Sequence, residues 1–445
     1  MENEIRNQLI NNFLRISKVP RESGHEEKIA DFFVNVAKKN LLYYFKDENN
    51  NVLIKKKGNN STNPIALQAH LDMVCVKRKE SHHNFLEDGV EVIIDGDKVT
   101  AKDTSLGADQ GVGLAMMLTL LEDKNINHPD LEFLFTTEEE TTFNGAVTFP
   151  YSQVDSKRLI NLDNSKDDVI FIASDGDRCN EYCFKGNFIE NKVPSYKVLI
   201  EGFSGGNSSE DIHLSENNAI TTMARLLKKK DIFIRSINGG MSENDLATSC
   251  EVIMHTNLDV EEMFKNVNAT IQKVDSQLSF SRDDTNKIIN EILDLKCGYI
   301  TESLASANLG MIHTHENEIK IYYVFRSMNE NELEMIHSKS KSLGNDFIVH
   351  KLYSDPIWNI NPESELRKKY KEVYFKKYLR HPKEEIFHGA IECSPIKKRI
   401  NELDIISIGS NIEKYHTVDE VTYISSWLKV YELLVQLLKK LVDHE

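Results

Sequence analysis

Cysteine, net positive charge and long apolar runs are all scarce in this 445-residue chain. The six cysteines (Cys75, Cys179, Cys183, Cys250, Cys297 and Cys393) are scattered and form no C-x-x-C pair. That argues against a disulfide framework and for free thiols in a reducing compartment. Lysine and arginine number 54 against 70 aspartates and glutamates, a formal net charge of -16. A chain without a dominant positive field is not expected to bind nucleic acid, since phosphate contacts need one. No stretch approaches the roughly 20 consecutive apolar residues of a membrane helix. The first eighteen residues mix Glu4, Arg6, Asn11 and Arg15 among apolar ones, unlike the unbroken apolar core of a signal peptide. The expectation is a cytoplasmic protein with no membrane partner. Internal repeats, low-complexity tracts and an evident linker are also missing.

What is present is enough apolar sequence for a sizeable core, 40% of residues, in a chain long enough for two domains. Apolar residues Leu9, Ile10, Phe13, Leu14 and Ile16 make a helical stripe that stops before Pro20. Ser23 and Glu26 then form an S-x-x-E sequence, which reads as a capping box for a second helix. Short apolar runs at Asn51–Lys55, Ile65–Gln68, Leu131–Thr136 and Leu159–Leu162 read as strands, with a helix at Leu114–Leu121 between them. Strands alternating with helices imply an α/β layer architecture with a central mixed sheet. From about Asn187 the texture changes. Expected strands at Tyr196–Ile200, Asp231–Ile237, Ala247–Met254 and Glu318–Val324, with a helix at Ile220–Leu227, suggest an inserted α+β domain with a largely antiparallel sheet. From about Tyr353, helices at Leu366–Tyr378 and Ile424–Val442 and a strand at Ile405–Ile408 read as a return to the first domain. The expected division is residues 1–186 and 353–445 for the first domain and 187–352 for the second.

Five segments carry chemistry. ALQAHLDMV ends an apolar strand in His70 and Asp72. Residues two apart on a strand share a side, so Asp72 can hold an imidazole that binds metal. Alone, this segment reads equally as a buried histidine paired with an aspartate. TSLGADQGVGLA puts Asp109 in a glycine-lined turn before a helix, where a buried carboxylate needs a cation or a set of donors and can bridge two metals through its two oxygens. A simple capped turn would look the same. FLFTTEEETTFNGA places glutamates directly after a buried strand, and α/β sheets build sites at the carboxyl ends of their strands. One glutamate can bind metal while its neighbour shuttles a proton. LINLDN ends in Asp163, and SIGSNIEKYHTVDE holds His416, followed by Asp419 and Glu420. Five strand-end segments, each offering a histidine or carboxylate, together point to a two-metal hydrolase site.

These segments, with ESGHEEKIADFF, IHLSENNA and FHGAIEC, resemble the zinc peptidases of the aminoacylase and carboxypeptidase G type, most closely their aminoacyl-histidine dipeptidase branch. The similarity runs nearly end to end. It implies a catalytic α/β domain interrupted by a lid domain, dipeptide substrates, two divalent ions (zinc) and often a homodimer. By this resemblance His70 and Asp163 hold one ion, Glu140 and His416 the other, and Asp109 bridges both. Asp72 orients His70, and Glu139 is the general base. Arg326 in VFRS resembles the arginine that grips the substrate carboxylate, with a surface arginine as the bland alternative. Glu392 would meet the substrate's amino end, or serve as a structural carboxylate.

The lid segments depart from the family pattern. SGGNSSED has Asn207 where the family carries a histidine that steadies the oxyanion, and His213 lies six residues on. Asn238–Gly240 keeps the N-G-G turn, and Asn244 survives, but Glu243 stands where an arginine is usual. Thr142 replaces the glycine after the glutamate pair. These departures leave two alternatives to a working dipeptidase: a degenerate homologue that binds metal or peptide with little turnover, and a deacylase of N-acyl amino acids.

Overall fold

The computed structural model describes residues 2–58, 63–343 and 346–442. By its internal contacts the chain divides into two compact units. One comprises Met1–Ser174, Trp358–Phe387 and Ile391–Glu445; the other comprises Asp175–Ile357 with His388–Ala390. Contacts thus set the divisions at 174/175 and 357/358, where sequence texture suggests 186/187 and 352/353. The reason is the strand Gly176–Lys185, which pairs along its whole length with Glu318–Ser327 in the second unit's sheet.

The first unit is built on an eight-stranded mixed sheet, flanked by helices. Its order is Tyr43–Lys46, Val52–Lys56, Leu131–Thr136, Ile65–His70, Arg158–Asn161, Asp404–Ser407, Val169–Ser174 and Lys383–Phe387. The four strands from Leu131–Thr136 to Asp404–Ser407 in this order run parallel to one another. Their side chains alternate between two cores. Ile65, Leu67, Phe133 and Phe135 face the large one, with the helices Glu2–Ser17, Glu27–Lys39, Ala108–Glu122 and Ile424–Val442. Ala66, Leu134 and Leu159 face a smaller one containing Phe149, Trp358 and Ile396. Burial on both faces explains why these strands read as continuous apolar runs. It also fixes their register, because a one-residue slip would exchange the two sets.

The parallel direction determines where the candidate site residues sit. All four strands leave the sheet at the same end, and their next residues include Asp72, Glu139, Glu140, Asp163 and, a few residues on, His416. At that end Gly409 is required by close approach: a Cβ there would lie 1.8 Å from the carbonyl oxygen of Asn164. A small four-stranded sheet joins Ile412–Glu413, Val421–Tyr423, Lys98–Ala101 and Val92–Asp95 and frames the loop that carries His416.

The second unit is α+β. Its nine-stranded sheet is antiparallel at every pairing, with the helices Ala219–Leu227 and Arg282–Asp294 against it. Its core includes Ile220, Met223, Leu227, Ile234, Ile237, Val252, Met254, Ile288 and Ile292.

The expected capping box is not formed. The helix begins at Glu27 with Glu26 at the N-cap and no side-chain cap. Glu26 Oε1 instead accepts from Gly24 N and Glu138 N at 2.8 and 3.0 Å, and the Ser23 hydroxyl donates to Asp72. Tertiary partners captured both side chains. Among the described residues no helix is long and apolar enough to cross a membrane, and all six cysteines are free.

Candidate metal centre

His70 ends the central strand and is 1% exposed. Its Nδ1 lies 3.2 Å from Asp72 Oδ1 and its Nε2 3.8 Å from Glu139 Oε2. The Nδ1 contact is close enough for charge attraction, and among the described residues neither buried ring nitrogen has a hydrogen-bond partner. Burial disfavours the imidazolium, yet the charges of Glu139 and Asp72 outweigh it and hold the His70 pKa well above its ordinary value.

Asp72 is fully buried. It accepts from Ser23 Oγ at 2.7 Å and from the backbone N–H groups of Glu139 and Glu140 at 3.1 and 3.2 Å. One carboxylate therefore positions the turn that follows the strand Leu131–Thr136. Burial alone would raise the Asp72 pKa; His70 and the Ser23 hydroxyl bring it below the usual carboxylate value.

Asp109 stands at the start of the helix Ala108–Glu122, but its φ of -55° and ψ of 115° are not helical, and Gln110 after it has a left-handed φ of 55°. Asp109 Oδ2 and Glu140 Oε2 each lie 3.0 Å from His416 Nε2. His416 itself has a φ of 61°, a left-handed conformation imposed by its loop. Burial works against its protonation, but Glu140 and Asp109 override that and raise its pKa well above the ordinary value. Burial, reinforced by the charge of Asp109, pushes the Asp163 carboxyl up to about 7. Burial likewise raises Glu139 well above the usual range, against the pull of His70.

Among the described residues, ligand-type atoms converge in three overlapping groups, each with its atoms within 4.8 Å of one another: His70, Glu139 and Glu140; His70, Asp109 and Asp163; Asp109, Glu140 and His416. This donor set fits divalent cations. Oxygen and imidazole donors of this kind suit zinc, and Glu140 Oε1 is buried without a hydrogen-bond partner, as are both His70 nitrogens. Buried carboxylates at this density are costly unless cations offset them.

Beneath the cluster lies a buried network. Gln68 donates to Thr136 Oγ1 and to Glu392 Oε2, Asn161 donates to Gln68, and Asn161 Oδ1 accepts from Asp163 N at 3.0 Å. Glu392 is fully buried and also accepts from Thr136 Oγ1 at 2.8 Å. Burial pushes its pKa up to about 8. Its Oε1 has no hydrogen-bond partner among the described residues.

Arg326, Asn207, His213 and Asn244 lie in the second unit, and Thr142 in the first. Arg326 is not a surface arginine: it is 2% exposed. Its Nε donates to Asp177 at 3.0 Å, and its two terminal nitrogens donate to Ser208 Oγ and Asn244 Oδ1 at 2.8 and 2.7 Å. Asn207 Oδ1 accepts from the backbone and hydroxyl of Ser209, a local turn that turns its amide nitrogen away from that contact. His213 is exposed. Thr142 is exposed and donates to Glu138.

Sequence reasoning took Ser23 for a helix cap rather than a partner of Asp72, and it passed over Arg21. Arg21 is 3% exposed, and its guanidinium donates to the carbonyls of Leu71 and Asp72 and to that of Gly107. No local pattern signals this, because every partner is distant in sequence.

Residues 66–440 match the pattern described as Peptidase family M20/M25/M40. The chain is 27% identical to a cytosol non-specific dipeptidase of Escherichia coli strain K12, over 96% of each sequence. Among solved structures it is similar to an aminoacylhistidine dipeptidase from Vibrio alginolyticus, with a TM-score of 0.76 and 25% identity over 97% of this chain and 96% of the other. A tripeptidase from Staphylococcus aureus shares the fold at a TM-score of 0.66, with 17% identity over 99% of each chain.

Proposed function

This chain belongs to peptidase family M20/M25/M40, and from that premise we propose that it is a two-zinc dipeptidase acting on Xaa-His or a broader set of dipeptides. The observation that carries this reading is the shared position of Asp109. It belongs to one ligand group with His70 and Asp163 and to another with Glu140 and His416. His70 and Asp163 would hold one ion, Glu140 and His416 the second, and Asp109 both. Divalent ions there would supply Lewis acidity, polarising a peptide carbonyl and making water acidic enough to lose a proton near neutral pH.

The chain's own residues do the rest. Asp72 fixes the His70 ring and, through the backbone of Glu139, the position of the base. Glu139 takes a proton from the attacking water on its carboxylate and delivers it to the leaving nitrogen. Glu392 Oε1, which has no hydrogen-bond partner, would meet the substrate's amino group. Arg326 and Asn244 would receive the substrate's carboxylate end, supported by a guanidinium plane already fixed by three partners. Asn207 would donate to the oxyanion through its amide nitrogen. A cytoplasmic location and a homodimer accompany this reading.

The test is metal content and turnover together. Equilibrium dialysis against zinc should give two equivalents per chain for the parent protein and fewer for His416→Ala. Cleavage of dipeptides should require both ions. Fewer than two equivalents in the parent protein would remove the ligand assignment.

A further inference from the structure

Glu420 has no part in the mechanism above. It is 3% exposed and lies four residues after His416, in the loop between the short strands Ile412–Glu413 and Val421–Tyr423. Its carboxylate accepts four consecutive backbone N–H groups. Leu106 N and Gly107 N reach Oε2 at 2.8 and 2.9 Å; Ala108 N and Asp109 N reach Oε1 at 2.8 and 3.2 Å. Three of them, from Gly107, Ala108 and Asp109, are orphan donors at the entry of the helix Ala108–Glu122, whose N-cap residue Gly107 offers no side-chain cap. A negative charge at a helix start is favourable, but a serine or aspartate in the turn itself would supply a cap at lower desolvation cost. The cap comes instead from the loop that bears His416.

The capped segment also needs holding. Gly107 has a φ of 67°, Asp109 is off-helix, and Gln110 is a non-glycine residue at a φ of 55°. Such backbone persists only where its surroundings over-determine it. On the carbonyl side the hold is Arg21, which donates to Gly107 O at 2.5 Å. On the N–H side it is Glu420.

We propose that Glu420 is a positioning residue that ties the His416 loop to the Asp109 turn, so that one buried carboxylate preforms the half of the metal centre made by Asp109, Glu140 and His416. The inference rests on the two-metal reading above. Glu420 would touch neither substrate nor ion. It would set where Asp109 and His416, 3.0 Å apart, present their ligand atoms.

The test is a cobalt(II) titration of the metal-free full-length chain, read by visible absorption, with the parent protein, Glu420→Gln, Glu420→Asp and Glu132→Gln in parallel. Glu132 is the control: a buried carboxylate that accepts from the backbone N–H groups of Asp155 and Ser156 and pairs with Lys55. The parent protein should bind two equivalents. Glu420→Gln should keep one tight equivalent, bind the other about 10- to 100-fold more weakly and show an altered cobalt band. Glu420→Asp, which keeps the charge but is too short to reach all four donors, should fall between them, and it carries the comparison if Glu420→Gln does not fold. Glu132→Gln should melt earlier yet bind both equivalents as the parent does. If the Glu420 variants also only melt earlier, with affinity and band unchanged, the positioning role is overturned and Glu420 is simply a helix cap. If the parent protein itself binds fewer than two equivalents, the two-metal reading fails, and this inference with it.

Discussion

The Ser23 hydroxyl donates a 2.7 Å hydrogen bond to Oδ2 of Asp72, a residue 49 positions away in sequence. The same carboxylate accepts from the backbone of Glu139 and Glu140. The entry loop of the second helix, Asp72 and the turn carrying Glu139 and Glu140 are therefore one connected unit. Ser23→Ala should lower stability by about 1.5–3 kcal/mol, the range for a bond to a charged group, and lower kcat several-fold with metal content unchanged. Urea unfolding and initial rates check this. Unchanged values of both would mean that the bond carries no structural weight.

Glu139→Gln keeps the size of the side chain but removes the proposed proton acceptor. Its kcat for a dipeptide should fall by about 10²- to 10⁴-fold, while dialysis still returns two zinc ions per chain. A variant that loses an ion as well would show that Glu139 is a ligand and that the base lies elsewhere.

Away from the metal centre, Glu291 gives a pH prediction. Burial, reinforced by the charges of Asp294 and Asp346, pushes its carboxyl in the helix Arg282–Asp294 up to about 7 from an ordinary value of 4.5. Between those values the folded chain holds a proton that the unfolded chain has released. The stability this provides is complete below the unfolded pKa and is lost as pH rises through about 7. Glu291→Gln should therefore match the parent protein near pH 4.5 and exceed it at pH 8 by about 1–2 kcal/mol, a figure reduced for the water that still reaches the group. Thermal melts at the two pH values decide. A stabilisation that does not change with pH contradicts the assignment.

The strands that carry the candidate metal ligands were legible because each is buried on both faces and ends abruptly in a charged residue, as in Ile65–His70 followed by Asp72 and Leu131–Thr136 followed by the glutamates. The helix Ile424–Val442 was equally plain, its apolar stripe running from Ile424 to Leu441. The strands Gly176–Lys185 and Ser306–His315 were not read. Both bury polar residues, including Asp177, Arg178, Asn180, Ser306 and Asn308, so no apolar alternation marks them. The support around the candidate ligands was equally hidden. Ser23 and Glu26 matched a local capping pattern that distant partners outcompeted, and Arg21 serves carbonyls that any sequence would supply.

Asn207 stands where the resemblance places an oxyanion-steadying histidine. If that substitution limits the rate, Asn207→His should raise kcat, by up to the 10²- to 10³-fold that one oxyanion donor is worth, with little change in metal affinity. No gain would mean that the amide already serves, or that the side chain does not face the reaction.

The central claim is tested most directly by measuring amine release from a panel of Xaa-His dipeptides, Gly-Gly and N-acetyl amino acids, incubated with the zinc-loaded protein. The account predicts turnover of dipeptides and none of the N-acetyl compounds. Turnover confined to the N-acetyl compounds, or no turnover at all with two zinc ions bound, would contradict it.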